Sequence, residues 1–222
     1  MSWNECLYHY HKTHGGSFLA GQDDDALLVL TWKDRPLAVD LYRVSGRYGT
    51  SNYVQARIPV TLGKSYKLTI GAERKLSGGV NAVLRAAPGL PDHSLLPADF
   101  GFPEVTKKRL IRTDNHSFTK LALGNLDFRN ALAACPMEKL EVRSGPGDEG
   151  LHLITVTTGT PVSSGAGDWY LWPSGDPYAI STGSAEEQLQ NIRRIEAEFF
   201  PRMDRFLDLV RAAYNAVTQW PM

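Results

Sequence analysis

The sequence is poor in the features that most quickly tie a chain to a chemistry. It has two cysteines, Cys6 and Cys135, far apart along the chain. Two such residues cannot staple a fold into a disulfide framework, and a reducing compartment is the default for them. No apolar run approaches the roughly 18–20 residues of a membrane-spanning helix. The start, MSWNECLYHYHKTHGG, lacks the basic stretch followed by an apolar stretch that marks a secretory leader. Charge of one sign is missing too. Lys plus Arg equals Asp plus Glu at 24 each, so no global field draws the chain to nucleic acid or to anionic lipid. Together these absences lead us to expect a soluble, cytoplasmic protein with no membrane partner, and they argue against nucleic acid.

What is present is an ordinary globular balance, 42% apolar and 22% charged, in a chain long enough for a real core. The first half reads as strands. ALLVLTW (26–32) and LAVDLYRV (37–44) flank the turn KDRP, a hairpin signal. In NYVQARIPVTL (52–62), Val54, Ala56 and Ile58 alternate with Tyr53, Gln55 and Arg57, and Pro59 predicts an edge or a bulge. SYKLTIGA (65–72) places Tyr66, Leu68 and Ile70 on one face. The segment 87–104 is rich in proline and reads as a loop or linker.

From residue 114 the period changes. Asp114 is placed to cap a helix, and Phe118, Leu121 and Ala122 fall at helical spacing. Gly124 and Asn125 interrupt, and Leu126, Phe128, Ala131 and Leu132 resume, which predicts two short helices or one broken one. KLEVRS and LHLITVTT around GPGDEG form the clearest hairpin. Near the C-terminus, Ser184 and Glu187 have capping-box spacing. An apolar stripe then runs through Leu189, Ile192, Ile195, Phe199, Met203, Phe206, Val210, Ala213 and Val217, with a kink expected at 197–201 because of Pro201.

The reading is therefore an α+β protein. An antiparallel, sheet-rich core of one or two sheets is packed by a broken middle helix and a long kinked C-terminal helix. It forms a single domain over 1–222, with sublobes 1–90 and 100–222 as an option. The order of strand, RTDNHSFTKLALGNLDFRNAL, hairpin and terminal helix resembles a diffuse group of uncharacterised bacterial proteins, over about residues 100–215. That resemblance implies a fold and no activity. The segment GTPVSSGAGDWYLWPSGDP departs from its pattern.

Two constellations could carry function. Trp169, Tyr170, Trp172 and Tyr178 lie in a long Gly/Ser/Pro-rich stretch, where they would cover a sheet edge if buried, the favoured reading, and stack on ligands or partners if exposed. Cys6, His9, His11 and His14 supply the atoms of a zinc site or a reactive thiol–imidazole pair. Neither helix nor strand spacing puts all four on one face, and the alternative is a first helix or irregular arm with Trp3, Leu7 and Tyr10 packed inward. The acidic run 23–25 enters a strand directly and lacks the spacing of a calcium loop. No G-x-S-x-G, C-x-x-C or H-E-x-x-H occurs. The expected function is binding or scaffolding without a catalytic centre and without a cofactor, toward a protein or small-molecule partner, with homo-oligomerisation left open. The alternative is an enzyme or metal-binding protein built on the N-terminal cysteine and histidines.

Overall fold

The computed structural model describes residues 2–20, 25–47, 49–72, 96–97, 100–106, 109–136, 138–145, 150–159 and 184–221. The elements are α1 (Trp3–His14), β1 (Ser17–Leu19), β2 (Leu27–Trp32), β3 (Arg35–Gly46), β4 (Gly49–Thr61), β5 (Leu68–Ala72) and β6 (Leu96–Pro97). They continue with α2 (Pro103–Thr106), β7 (Arg109–Thr113), α3 (His116–Gly124), α4 (Leu126–Ala134), β8 (Lys139–Ser144) and β9 (Leu151–Thr157). A last helical run comprises α5 (Ala185–Arg194), a π-helical turn (Ile195–Phe199) and α6 (Phe200–Thr218). The fold is α+β with antiparallel strand pairing. Two compact units are assembled from non-contiguous segments. The first is Met1–Ile58 with Thr157–Asp208, and the second is Pro59–Val156 with Leu209–Met222.

In the first unit the strand order is β1-β2-β3-β4. The β2–β3 hairpin closes on Lys33 and Asp34, both with positive φ (48° and 61°). A two-residue turn of that hand matches the right-handed twist of the strands it joins. Pro36, one of the expected turn residues, sits inside β3 opposite Thr31. Helix α1 begins with a capping box between Ser2 and Glu5 and buries Trp3, Cys6, Leu7 and Tyr10. It is tied to the approach to β2 by Trp3 Nε1 donating to the Ala26 carbonyl (2.9 Å) and by Ala26 N–H donating to Asn4 Oδ1 (2.7 Å). Gly16 is required where the chain turns back. Its φ is +93°, and a Cβ there would lie 2.6 Å from the Val29 carbonyl oxygen.

The C-terminal run departs from the expected stripe at its start. Helix α5 has the capping box of Ser184 and Glu187 but buries none of its residues, and Leu189 is 49% exposed. Burial begins at Ile195. The irregularity expected at Pro201 takes the form of the π turn just before it. Proline has no N–H for the i−4 carbonyl and its ring crowds that group, so widening the preceding turn accommodates both. This places Phe199 edge-on to Trp3 and to Tyr10, each at 6.1 Å between ring centres. Tyr10 also donates to Asp204 Oδ1 on α6 (2.6 Å). Phe206 and Met203 are fully buried, and side chains of this size contribute about 1.5–3 kcal/mol each.

In the second unit the order is β9-β8-β5-β7-β6. Strand β5 pairs on both sides, Leu68 with Thr113 and with Val142, and its Leu68 and Ile70 are buried together with Tyr66. The β8–β9 hairpin closes with Gly145 N–H donating to the Leu151 carbonyl (2.7 Å). Pro59 lies within β4, two residues beyond Arg57, where pairing with β3 ends, so its missing N–H removes nothing from that ladder. The cap of α3 is Asn115, whose Oδ1 accepts from Phe118 N–H (3.0 Å), and not Asp114. Asp114 instead accepts from Lys67 N–H (2.8 Å) and secures the entry to β5.

Five polar side chains are buried here with defined partners. The Arg109 guanidinium donates to the carbonyls of Glu138 (2.9 Å), Leu132 (2.7 Å) and Cys135, closing the C-terminal end of α4. Burial pulls its pKa down, and the neighbouring Glu138 and Cys135 oppose that. His152 Nε2 accepts from Tyr66 N–H (2.9 Å). The Tyr66 hydroxyl, Thr119 and Thr113 form a chain of hydroxyls at 2.7 Å each. Burial pushes the Tyr66 phenol far above its ordinary range. The bonds to Thr119 and Thr113 pull it back, and Asp114 adds to the rise.

Two outcomes follow for stability. Arg109→Met strands three carbonyl acceptors and is expected to cost about 3 kcal/mol, read as a lower urea midpoint at unchanged slope, with Arg109→Lys restoring only part. For Tyr66 the native state keeps its phenolic proton past the value at which the unfolded chain releases it. This group's contribution to stability is therefore lost as pH rises above about 10, at up to about 1.4 kcal/mol per pH unit. Tyr66→Phe should lose about 1 kcal/mol at neutral pH yet show a shallower alkaline limb than the wild type in chemical denaturation.

Candidate functional site

The second unit carries an open groove of about 840 Å³. One wall comes from α3, where His116, Lys120 and Gly124 are spaced four apart, with Ser117 and Leu121 beside them. Asn125 and Leu126 continue the wall across the helix break, and Gln219 and Trp220 add the segment after α6. Phe102 completes it. Leu121, Leu126 and Trp220 are 46%, 60% and 40% exposed. Large apolar side chains gathered around one opening are the informative case, in contrast to single exposed leucines scattered over a surface. A smaller recess of about 370 Å³, lined by Thr61, Leu62, Gly63 and the segment 217–221, shares Gln219 and Trp220 with the groove.

The lining is held from behind. Asn125 N–H donates to the Ala122 carbonyl (3.1 Å), ending α3, and its Oδ1 accepts from Phe128 N–H (3.0 Å), starting α4. Its Nδ2 then donates to Gln219 Oε1 (3.0 Å), tying the C-terminal segment to the helix break. Arg129 donates to the Leu123 (2.6 Å) and Gly124 (3.0 Å) carbonyls and pairs with Glu104 (3.1 Å). Its guanidinium also lies 4.6 Å over the Phe102 ring, which fixes that wall. His116 stacks on Phe100 with ring centres 4.5 Å apart.

Among the described lining residues none is acidic and none is a thiol. The groups on offer are apolar surface, the Lys120 ammonium, the His116 imidazole, the Ser117 hydroxyl and two amides. That set suits recognition: walls for an apolar body and a few polar groups to orient it.

None of the residues singled out from sequence is among the described lining residues. Trp169, Tyr170, Trp172 and Tyr178 lie outside the described residues. Cys6, His9, His11 and His14 all sit on α1, as the helical alternative required, and they point in different directions. Cys6 is buried beside Trp3, Leu7 and Tyr10. His9 meets the edge of Tyr8, with ring centres at 5.8 Å. His11 stacks on Phe18 and reaches the Gly15 carbonyl (3.3 Å). His14 stacks on Tyr10 at 3.9 Å, bonds the Tyr10 carbonyl (3.1 Å) and lies 3.8 Å from Asp204. Among the described residues no group of three or more His, Cys, Asp or Glu is placed to share a metal ion.

The groove escaped the sequence reading because Leu121 and Leu126 match the helical apolar period, which does not say whether a face is covered. The available signal was the pair of leucines flanking Gly124-Asn125, where a break rotates the face of the helix that follows. No family model, curated protein or solved structure matches the chain. Its likeness to bacterial proteins of unassigned function therefore remains an expectation from sequence.

Both cysteines are buried. In the native protein neither should react with Ellman's reagent on the timescale of minutes, and both should titrate in guanidinium chloride. A fast native thiol would contradict the packing of α1 or of the end of α4.

Proposed function

We propose that this chain is a binding or scaffolding domain without a catalytic centre, and that its ligand is a small molecule held in the groove beside the α3–α4 break. The observation that carries the reading is the convergence of Leu121, Leu126 and Trp220, all partly exposed, on one opening. The groove's volume of about 840 Å³ falls within the range of roughly 300–1,000 Å³ typical of small-molecule sites. Its rear hydrogen bonds leave the walls preorganised, which limits the entropy lost when a ligand settles. No helix among the described residues is long and apolar enough to cross a membrane.

The test uses a neutral apolar reporter, N-phenyl-1-naphthylamine, whose emission rises on entering an apolar site. The expected result is a saturable, one-to-one increase with the native protein. Leu126→Asp or Trp220→Ala should weaken binding by about tenfold or more, while the thermal unfolding midpoint moves little because both side chains are partly exposed. Absence of saturable binding to the folded protein would remove the reading.

A further inference from the structure

We infer that the ligand of the groove is an amphipathic anion: a carboxylate, or a group of like charge, on an apolar aliphatic or aryl body. The inference rests on the binding role proposed above and specifies its chemistry.

Lys120 is the full positive charge of the described lining, and no acidic side chain accompanies it there. Asp127, which follows Leu126 in sequence, is not among the lining residues, and two other carboxylates of this unit are engaged. Glu104 pairs with Arg129 at 3.1 Å, and Asp114 accepts from Lys67 N–H at 2.8 Å. Among the described residues no carboxylate forms an ion pair with Lys120. It stands one turn after His116 and beside Leu121, so an anion reaching its ammonium would carry its apolar part along the leucines toward Trp220.

The backbone adds a field of the same sign. The first turn of α3 contributes Ser117 to the lining, and a helix start carries a partial positive charge. The Asn115 cap takes the Phe118 N–H. The opposite, negative end of α3 is countered by Arg129 on the Leu123 and Gly124 carbonyls. An ammonium and a helix start in the wall of an apolar groove, with no acid among the described lining residues, form a surface complementary to a negative head and an apolar tail. A cationic head would meet like charge there, and a neutral one would gain the apolar contacts alone.

Three ligands of equal body decide the matter: 6-phenylhexanoate, 6-phenylhexan-1-ol and 6-phenylhexylamine, each competing with N-phenyl-1-naphthylamine at low ionic strength. The acid is expected to bind about fivefold more tightly than the alcohol, with the amine weakest. In Lys120→Met the acid and alcohol should converge to within about twofold, and added salt should narrow their gap in the wild type. Equal binding of acid and alcohol to the native protein, or a preference for the acid that survives Lys120→Met, overturns the anionic assignment while leaving the binding reading intact. If neither the reporter nor any of the three binds, both fall. Sedimentation showing a dimer that Leu126→Asp converts to monomer would also overturn the inference, since the occupant would then be a second copy of the chain.

Discussion

The amide of Asn125 makes bonds in three directions. Its backbone N–H closes one helix, its side-chain oxygen opens the next, and its side-chain nitrogen holds the segment that follows the last helix. A helix end leaves several unsatisfied backbone groups, and two helices meeting at one residue leave two such sets. Asparagine can answer both because it offers an acceptor and a donor on one short side chain. The rotation between α3 and α4 that this permits is what leaves Leu121 and Leu126 bordering the same opening. In an unbroken helix those residues, five apart, would lie well away from each other around the axis.

The second unit is also where buried polar groups concentrate. Arg109, His152, Tyr66, Thr113 and Thr119 are buried, and each has a defined partner. Such networks add less net stability than apolar packing of the same volume, but they penalise alternatives strongly, because any shift leaves a polar group dry and unpaired. Arg109 reads the end of α4 through three carbonyls, and His152 reads the entry to β5 through one N–H. Together they fix the end of α4 and the entry to β5. The first unit relies instead on aromatic contacts around Phe199, with Trp3, Tyr10 and Phe200 arranged edge to face.

Much of this was readable in advance. The alternation of Val54, Ala56 and Ile58, and of Tyr66, Leu68 and Ile70, predicted which faces are buried, because side chains of a strand alternate by geometry alone. The inward set of α1 followed from spacings of three and four, and the capping box at Ser184 from a local exchange of hydrogen bonds. What failed shares one cause. Asp114 and Asn115 are both competent caps, and the choice between them was made by Lys67, distant in sequence, which takes the aspartate. Leu189, Leu121 and Leu126 obey the helical period yet stay exposed, because periodicity reports which residues share a face and says nothing about whether another element covers it.

The sequence by itself determined the class of the molecule, its longer strands, the broken middle helix and the terminal helix, and many of the inward-facing residues, since those depend on local periodicity; β1, β6 and α2 are too short to show a period. Spacing already kept Cys6, His9, His11 and His14 off a single face, and the tertiary structure decided which partners each of them meets. It alone assembled a groove from residues 102, 116–126 and 219–220, because only folding brings the end of the last helix against the break in the middle of the chain, and no local pattern encodes which surfaces are left uncovered when it does.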